Sequence, residues 1–478
     1  MKPVLVKPVL VLALGRPTFD VPFAETYAAA AFARLDAEGF TTCGPRTLLF
    51  DAAAAREAIA GIDPATLGGL LLLQITFTDA SMTVEIARSF PGIPLALWAF
   101  PEPRAGGRLR LNSYCGLNLA AHALGRAEVP HGWVFAAPDM PDLASSIRAA
   151  LRVATLPAPP LRQARTDAAQ EAAVAAIDDA LRNRRIGLVG EHPAGFDTCR
   201  FDDAHVTGLL GGGGVTQLPL CDLFERARAA DAGTTARDLA EARRAYAGTE
   251  AVDEGQLEKS LRLLEGLRGL KAGHNLDAFA VRCWPETFTE YGCAICGPMG
   301  ILTEAGTPCA CEADVMGAVT TLLVNAASGQ AGWLVDIVDM DEASDTGVFW
   351  HCGSAPLSMR DPECRARAQI HSNRKMPLLA EFTLKPGRIT MARLTQAQNG
   401  LALALGTGEV IRAPMSFTGT SAVVRFDGGV KQAGSRLIGS MLEHHVAFAY
   451  GDFRAPLEAW AAARSLPVID LTPEGDAP

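Results

Sequence analysis

Short apolar runs alternate with amphipathic, alanine-rich stretches through the first third of the chain. VLVLAL at 9–14 is followed by the loop GRPTFD and a helical pattern through AETYAAAAFARLDAEGF. TLLF then precedes a helix near AAAAREAIAG, and GGLLLLQIT leads into TDASMTVEIARSF. PLALWAF and GWVFAAP read as further strands, each followed by turn residues or a helix. Strict strand–helix alternation predicts a parallel sheet covered on both faces. Ligands of such sheets gather at the carboxyl ends of the strands, where Arg16, Asp79 and the loop around Asn112 and Ser113 lie.

The proline-rich LPAPPLRQART has the composition of a linker, which places a first boundary near residue 158. A second α/β segment opens with the strand RIGLVG and passes through charged helical sequence at about 222–271 to the strand DAFAVRCW. The glycine run 211–214 lacks a following Lys-Ser/Thr, so it reads as a flexible loop rather than a phosphate cradle. After about residue 331, strand-like pieces from WLVDIVDM to HHVAFAYG are separated by Gly, Pro and Asp turns, with one late helix at LEAWAAARS. The expected architecture is therefore α/β. Two doubly wound parallel-sheet domains (1–158 and 159–331) are followed by a mainly antiparallel β domain, sheet or barrel (332–478).

Composition narrows the function. The 478 residues carry 43 Lys and Arg against 53 Asp and Glu, a net charge of −10, which disfavours a nucleic-acid partner. Lys7 and Pro8 interrupt the apolar opening MKPVLVKPVLVLALG, and no small-residue cleavage pattern follows, so it reads as a buried first strand rather than a leader. No run reaches the roughly 18 apolar residues of a membrane span. The expectation is a cytoplasmic protein with reduced, mostly buried thiols among its eleven cysteines.

Chemistry is concentrated in residues 283–323. Cys293, Cys296, Cys309 and Cys311 could close a zinc site, although burial as small apolar side chains suits a segment embedded in a large apolar chain better. A second reading takes Glu312 at the start of the helix EADVMGAVTTLLV, Asp336 on the strand WLVDIVDMD, and His444 or His445 at the start of a late strand. Two carboxylates and an imidazole make an oxygen-rich set that suits Mn²⁺ or Mg²⁺ better than Zn²⁺. Each of these residues also has an ordinary reading, as a helix N-terminal carboxylate, a strand-end turn and a half-exposed strand.

The string ACEADVMGA at 310–318, with CWPE at 283–286 before it, resembles the L-fucose isomerase and L-arabinose isomerase superfamily. RPTFD at 16–20, DTGVFWHCGSAP and LKPGRIT extend the resemblance over most of the chain. It implies a Mn²⁺-dependent aldose–ketose isomerase, with Mg²⁺ or Co²⁺ as substitutes, acting on a small open-chain sugar through an enediolate. Glu312, Asp336 and His445 would hold the ion, with His444 competing for the last place and Asp339 and Asp341 crowding Asp336. Glu312 and Asp336 would also move the proton. By proximity to these motifs, Trp284, Glu286, His351, Ser354 and Asn373 are candidate sugar contacts. Trp350 and Trp284 could equally fill cores. Arg374 with Lys375 is either a solvated turn or a basic pair that would welcome an acidic or phosphorylated sugar. The resemblance further implies a homo-oligomer, trimer or hexamer, in which the loop bearing Arg16 completes a neighbouring subunit's pocket. The alternatives are a relative using the same centre for carbon–carbon cleavage or hydrolysis, and a non-catalytic sugar-binding protein.

Overall fold

The computed structural model describes residues 7–165, 167–397 and 400–473, so the first six residues of the apolar opening lie outside it. Six strands form the first sheet: β1 (Val9–Leu14), β2 (Thr42–Cys43), β3 (Leu48–Leu49), β4 (Gly69–Gln74), β5 (Leu95–Ala99) and β6 (Gly132–Phe135). Helices α1 (Val21–Ala37), α2 (Ala52–Ile59), α3 (Ser81–Ser89), α4 (Ser113–Arg126) and α5 (Leu143–Ala150) connect or follow them. All pairings are parallel, in the order β2-β1-β4-β5-β6, with β3 beside the far end of β1. The chain reverses direction across the sheet between β1 and β4, and at such a switch point the loops diverge and leave a crevice.

β7 (Leu161–Gln163) follows the proline-rich stretch and pairs antiparallel with the last strand of the chain, so the expected second segment begins inside the C-terminal sheet. The second sheet is parallel, with order β11-β10-β8-β9: β8 (Arg185–Val189), β9 (Gly214–Leu218), β10 (Ala278–Val281) and β11 (Cys309–Ala310). Around it lie α6 (Glu171–Leu181), α7 (Asp203–Leu209), α8 (Leu220–Arg228), α9 (Ala232–Ala245), α10 (Glu254–His274), α11 (Cys296–Glu304) and α12 (Val315–Ser328). The glycine run 211–214 turns α7 into β9, the reverse of the strand-to-helix order a phosphate cradle needs.

The third sheet is mixed. Its strands are β7 and β12 (Trp333–Asp341), β13 (Thr346–His351), β14 (Arg367–Gln369), β15 (Leu379–Thr383), β16 (Gly387–Thr395), β17 (Ala402–Ile411), β18 (Thr420–Phe426), β19 (His445–Tyr450) and β20 (Pro467–Asp470). β12, β13, β18, β17, β16 and β19 pair antiparallel in a ring that closes on itself, which leaves those six strands no free edge. β15 and β20 join that ring through parallel pairings. Among the described residues two α-helices, not one, follow β12: α14 (Arg454–Ala463), as expected, and α13 (Val430–Gly439), whose short, charged VKQAGSRLIG hid it among turn residues.

The three sheets share cores. One cluster of buried side chains runs from Leu10 and Leu72 on the first sheet through Leu117 on α4 to Trp333 and Phe448 on the third. Another joins Leu188 and Ala280 on the second sheet, through Val319 on α12, to Leu405 and Ala447. Helix α4 is buried over almost its whole length, as a helix wedged between layers must be. No helix among the described residues is long and apolar enough to cross a membrane.

Candidate active site

The carboxyl ends of both parallel sheets point at one pocket beside the ring of strands. Arg16, Thr18 and Phe19 follow β1, Phe77 follows β4, Cys283 and Trp284 follow β10, and Cys311 and Glu312 follow β11. The third sheet supplies Asp336, Trp350 and His351, with Cys352, Ser354 and the turn bearing Asn373 and Arg374 just beyond. The cavity measures about 790 Å³ with its open mouth included.

Glu312 is not in the helix, contrary to expectation. The helix begins at Val315, capped by Asp314, whose carboxylate accepts from the Gly317 N–H at 2.8 Å. Glu312 and Ala313 precede the cap with φ of 58° and 57°, two consecutive left-handed residues that are not glycine. Such backbone is costly and persists only where its surroundings hold it. Here the Ala313 N–H donates to the Val281 carbonyl at 3.0 Å and the Asp314 N–H to the Cys311 carbonyl at 3.0 Å. Gly317 has a reason too. A Cβ there would stand 2.5 Å from Asp314 Oδ2 and 2.8 Å from Leu334 Cδ2, so only glycine lets the cap fold this tightly.

The turn aims the Glu312 carboxylate into the pocket floor, where the Trp284 indole N–H donates to Oε1 at 2.9 Å and His444 Nε2 lies 2.8 Å from Oε2. Burial opposes ionisation of Glu312, but the His444 hydrogen bond and the charges of the two imidazoles outweigh it and hold its pKa below the ordinary carboxylate value. Asp336 lies within β12 rather than at its end, and its Oδ1 is buried without a hydrogen-bond partner. His445 Nε2 lies 3.4 Å from that oxygen and 3.7 Å from Glu312 Oε2. A bend at residue 444 sets the His444 and His445 rings 3.8 Å apart on the same side, both buried, so neither belongs to a half-exposed strand.

The two histidines differ in what holds them. His445 Nδ1 lies 2.9 Å from Asp314 Oδ2, and Asp314 is paired with Arg393, the two side chains being 1% and 0% exposed. This arrangement fixes the ring and turns Nε2 toward Asp336 and Glu312. Burial works against charging His445, yet Asp314, Asp336 and Glu312 together raise its pKa above the ordinary imidazole value. His444 Nδ1 has no partner among the described residues, and its Nε2 is taken up by Glu312.

The crowding of Asp336 does not occur. Arg104 Nε donates to Asp339 Oδ2 at 2.6 Å, and the Ser344 hydroxyl donates to Asp341 at 2.6 Å. Trp284, His351, Ser354 and Asn373 do line the pocket, and so does Trp350. Glu286 does not: both its oxygens accept from Arg282 at 2.6 Å, an i,i+4 pairing the sequence spacing already allowed. Arg16 lines the pocket of its own chain, its guanidinium 4.5 Å from the Trp284 ring and 3.4 Å from Asp79. The four cysteines of the zinc reading scatter. Cys293 Sγ meets the Pro377 carbonyl, Cys296 opens α11 at the pocket wall, Cys309 Sγ meets the Thr307 carbonyl, and Cys311 lies 3.2 Å from His351 Nε2 and 3.4 Å from His445 Nε2. Among the described residues, Glu312–His444–His445 and Cys311–His351–His445 each bring three possible ligand atoms within 4.8 Å of one another, and Asp336 Oδ1 stands beside the first group, 3.4 Å from His445 Nε2 and 3.9 Å from His444 Nε2. His371 and the Asp314–Arg393 pair went unnoticed in the sequence. An Asp ahead of an apolar helical run, as at Asp314, is a signal that could have found the cap, whereas Arg393 in RITMARL looks like any strand residue.

Comparison with known proteins adds to this geometry. Residues 11–156 match a family model described as the fucose/sulfoquinovose isomerase N-terminal domain. The sulfoquinovose isomerase of Priestia aryabhattai is 29% identical over 447 residues, 93% of this chain and 94% of that protein. Those of Alkalicoccus urumqiensis and Clostridium sp. (strain MSTE9) are each 29% identical over 398 residues, covering 83% and 82% of this chain and 84% and 83% of theirs.

Proposed function

We propose that this chain, which belongs to the fucose isomerase-like superfamily, interconverts the aldose and ketose forms of an open-chain sugar with the help of a divalent cation. The observation that carries this reading is the position of His445 Nε2, 3.7 Å from Glu312 Oε2 and 3.4 Å from Asp336 Oδ1, with Asp336 Oδ1 buried and otherwise unpartnered. Ligand distances of roughly 2.0–2.6 Å put neighbouring donors about 2.8–3.7 Å apart, and the 3.4 and 3.7 Å separations fall in that interval. Glu312, Asp336 and His445 would hold the ion, and two carboxylates with one imidazole favour Mn²⁺, with Mg²⁺ or Co²⁺ as substitutes. When bound, the cation would chelate adjacent sugar oxygens and offset the negative charge that develops as a proton leaves carbon.

The chain's own residues do the rest. Trp284 and His444 each engage one oxygen of Glu312, keeping it ionised and fixed. Asp336 offers an oxygen with no competing donor. Glu312, held ionised, takes the proton from the carbon next to the carbonyl and returns it to the former carbonyl carbon, while Asp336 relays the proton of the neighbouring hydroxyl to the carbonyl oxygen, the steps reversing in the return direction. His351, whose pKa burial above all pulls down to about 4, stays neutral near pH 7 and can hydrogen-bond a sugar hydroxyl without adding charge. Trp284, Trp350 and Phe288 form an apolar wall that limits water around the reacting carbons. A homo-oligomer, trimer or hexamer, belongs to the same reading, although Arg16 already serves its own chain's pocket.

The test is to incubate protein, Mn²⁺ and sulfoquinovose, the sugar named for the relatives, in D₂O. Deuterium at C2 of recovered aldose together with ketose formation supports isomerisation. Fragments of shorter carbon chain without exchange would replace it with carbon–carbon cleavage.

A further inference from the structure

The pocket wall around Trp284 is basic, and among the described residues one of its cations has no carboxylate within ion-pair distance. Arg374 sits in a tight turn between β14 and β15. The Asn373 and Arg374 N–H groups donate to His371 Nδ1 at 3.2 and 3.3 Å, and the Lys375 N–H donates to the His371 carbonyl at 2.7 Å. Lys375 points outward and is exposed, whereas the Arg374 guanidinium turns inward and stacks 5.2 Å from the Trp284 ring and 5.1 Å from the Phe288 ring. Among the described residues no carboxylate lies within 4.0 Å of it, and its side-chain N–H groups donate no hydrogen bond. Arg16 stacks 4.5 Å from the same Trp284 ring, held by one 3.4 Å contact to Asp79. Asp79 is itself shared, since its Oδ1 also accepts from the Ser81 N–H at 3.0 Å.

Two guanidinium groups on one indole, in a partly desolvated pocket, repel each other, a repulsion that Asp79 and Glu312 offset in part and that a bound anion would relieve further. A guanidinium is also the side chain whose planar fork of donors matches a tetrahedral oxyanion. We propose that Arg374, seconded by Arg16, is the receptor for an oxyanion, a sulfonate or phosphate group, carried by the sugar at the end opposite its reacting carbons. This rests on the isomerase reading, because the acidic floor of Glu312 and Asp336 takes the carbonyl end and leaves the basic wall for the tail. Trp284 couples the two halves: its indole N–H steadies Glu312 while its ring carries both arginines.

The experiment compares sulfoquinovose, glucose 6-phosphate and 6-deoxyglucose as substrates of the Mn²⁺-loaded protein, for wild type, Arg374→Met and Arg374→Lys. Sodium sulfate and inorganic phosphate are titrated separately by calorimetry. The expected result is a kcat/KM preference for an anionic over the neutral sugar that falls on the order of 100-fold in Arg374→Met, with partial recovery in Arg374→Lys. Whichever of sulfonate and phosphate gives the higher kcat/KM identifies the tail. Sulfate or phosphate binding that disappears in Arg374→Met supports the assignment whether or not any sugar turns over. Absence of turnover with all three sugars, alongside Arg374-dependent anion binding, would overturn the isomerase reading and leave this one standing. Equal anionic preference in wild type and Arg374→Met, or anion binding unchanged by that substitution, overturns the proposal.

Discussion

Asp336 and His445 stand directly opposite each other across the antiparallel pairing of β12 and β19, with Oδ1 3.4 Å from Nε2. Cross-strand partners on neighbouring strands of a closed ring cannot slide without breaking the ladder, so this pair is as rigid as the sheet itself. Glu312 is brought to it from another sheet by the left-handed turn after β11. A site mounted on strands keeps its geometry more closely than one mounted on loops.

Removing the cation should abolish turnover. Dialysis against a chelator is expected to eliminate sugar isomerisation, and added Mn²⁺ should restore it more fully than Mg²⁺. The same addition should raise Tm, because a ligand that binds only the folded chain stabilises it. Thermal melts before and after chelation provide a readout independent of activity.

The two histidines should separate by function. His445→Gln is expected to lose Mn²⁺ binding, read as free Mn²⁺ by electron paramagnetic resonance. His444→Gln should retain the ion and slow turnover, because it alters the contact that orients Glu312 without removing a ligand. Retention of Mn²⁺ by the first variant and loss by the second would reverse the assignment.

Asp314 supports His445 from behind. Asp314→Asn keeps a good helix cap but removes the charge that faces Arg393 and the His445 ring. Mn²⁺ affinity is expected to weaken about 10–100-fold, the usual effect of losing the partner of a metal-binding imidazole. Calorimetric titration measures it, and an unchanged affinity would show that the Asp314 contact is structural alone.

Gly317→Ala should destabilise the chain and disturb the site together. Its methyl group would press on Asp314 Oδ2 and Leu334, at an overpacking cost of about 1–3 kcal/mol. Denaturant unfolding checks the stability, and a parallel loss of Mn²⁺ affinity would show the strain passing through Asp314.

Acid should loosen the C-terminal clamp. Arg454 donates to both oxygens of Asp470 at 2.8 and 2.9 Å, and Arg162 on β7 reaches Glu458 and Asp470 at 3.1 and 3.3 Å. Burial would raise both carboxyls, but the arginines hold them below their ordinary values. A depressed folded pKa means the stabilisation is complete above the unfolded carboxylate pKa of about 4 and is lost as pH falls through the folded values. Tm should therefore drop below about pH 4, and less steeply in Arg454→Met, as melts across a pH series would show.

Much of this architecture is legible in the residues alone. The alternation of VLVLAL, GGLLLLQIT and PLALWAF with helical stretches dictates parallel sheets, because strands buried on both faces must be apolar throughout. ACEADVMGA announces a helix, but the residues alone put its start at Glu312, and the left-handed turn ahead of the Asp314 cap is not legible there. Periodicity also places Asp336 on a strand and the histidine pair beside another. It is silent on helix α13, a short run broken by Lys431, Gln432, Ser435 and Arg436, and on Glu286, whose capture by Arg282 depends on a local geometry that competes with the pocket.

What only the tertiary structure decided is convergence. Residues 312, 336 and 445 are separated by long stretches of chain, and nothing local says that β12 and β19 are neighbours in a closed ring or that the turn after β11 faces them. Contacts so distant along the chain are bought with loop-closure entropy and repaid by shared cores, and those energies belong to the whole fold. The same cooperative packing turns Arg374 inward and Lys375 outward, selects His445 as the histidine backed by Asp314, and brings Arg16 into its own chain's pocket. A strand pattern fixes which side chains share a face; which faces meet is set by the packing of sheets against one another.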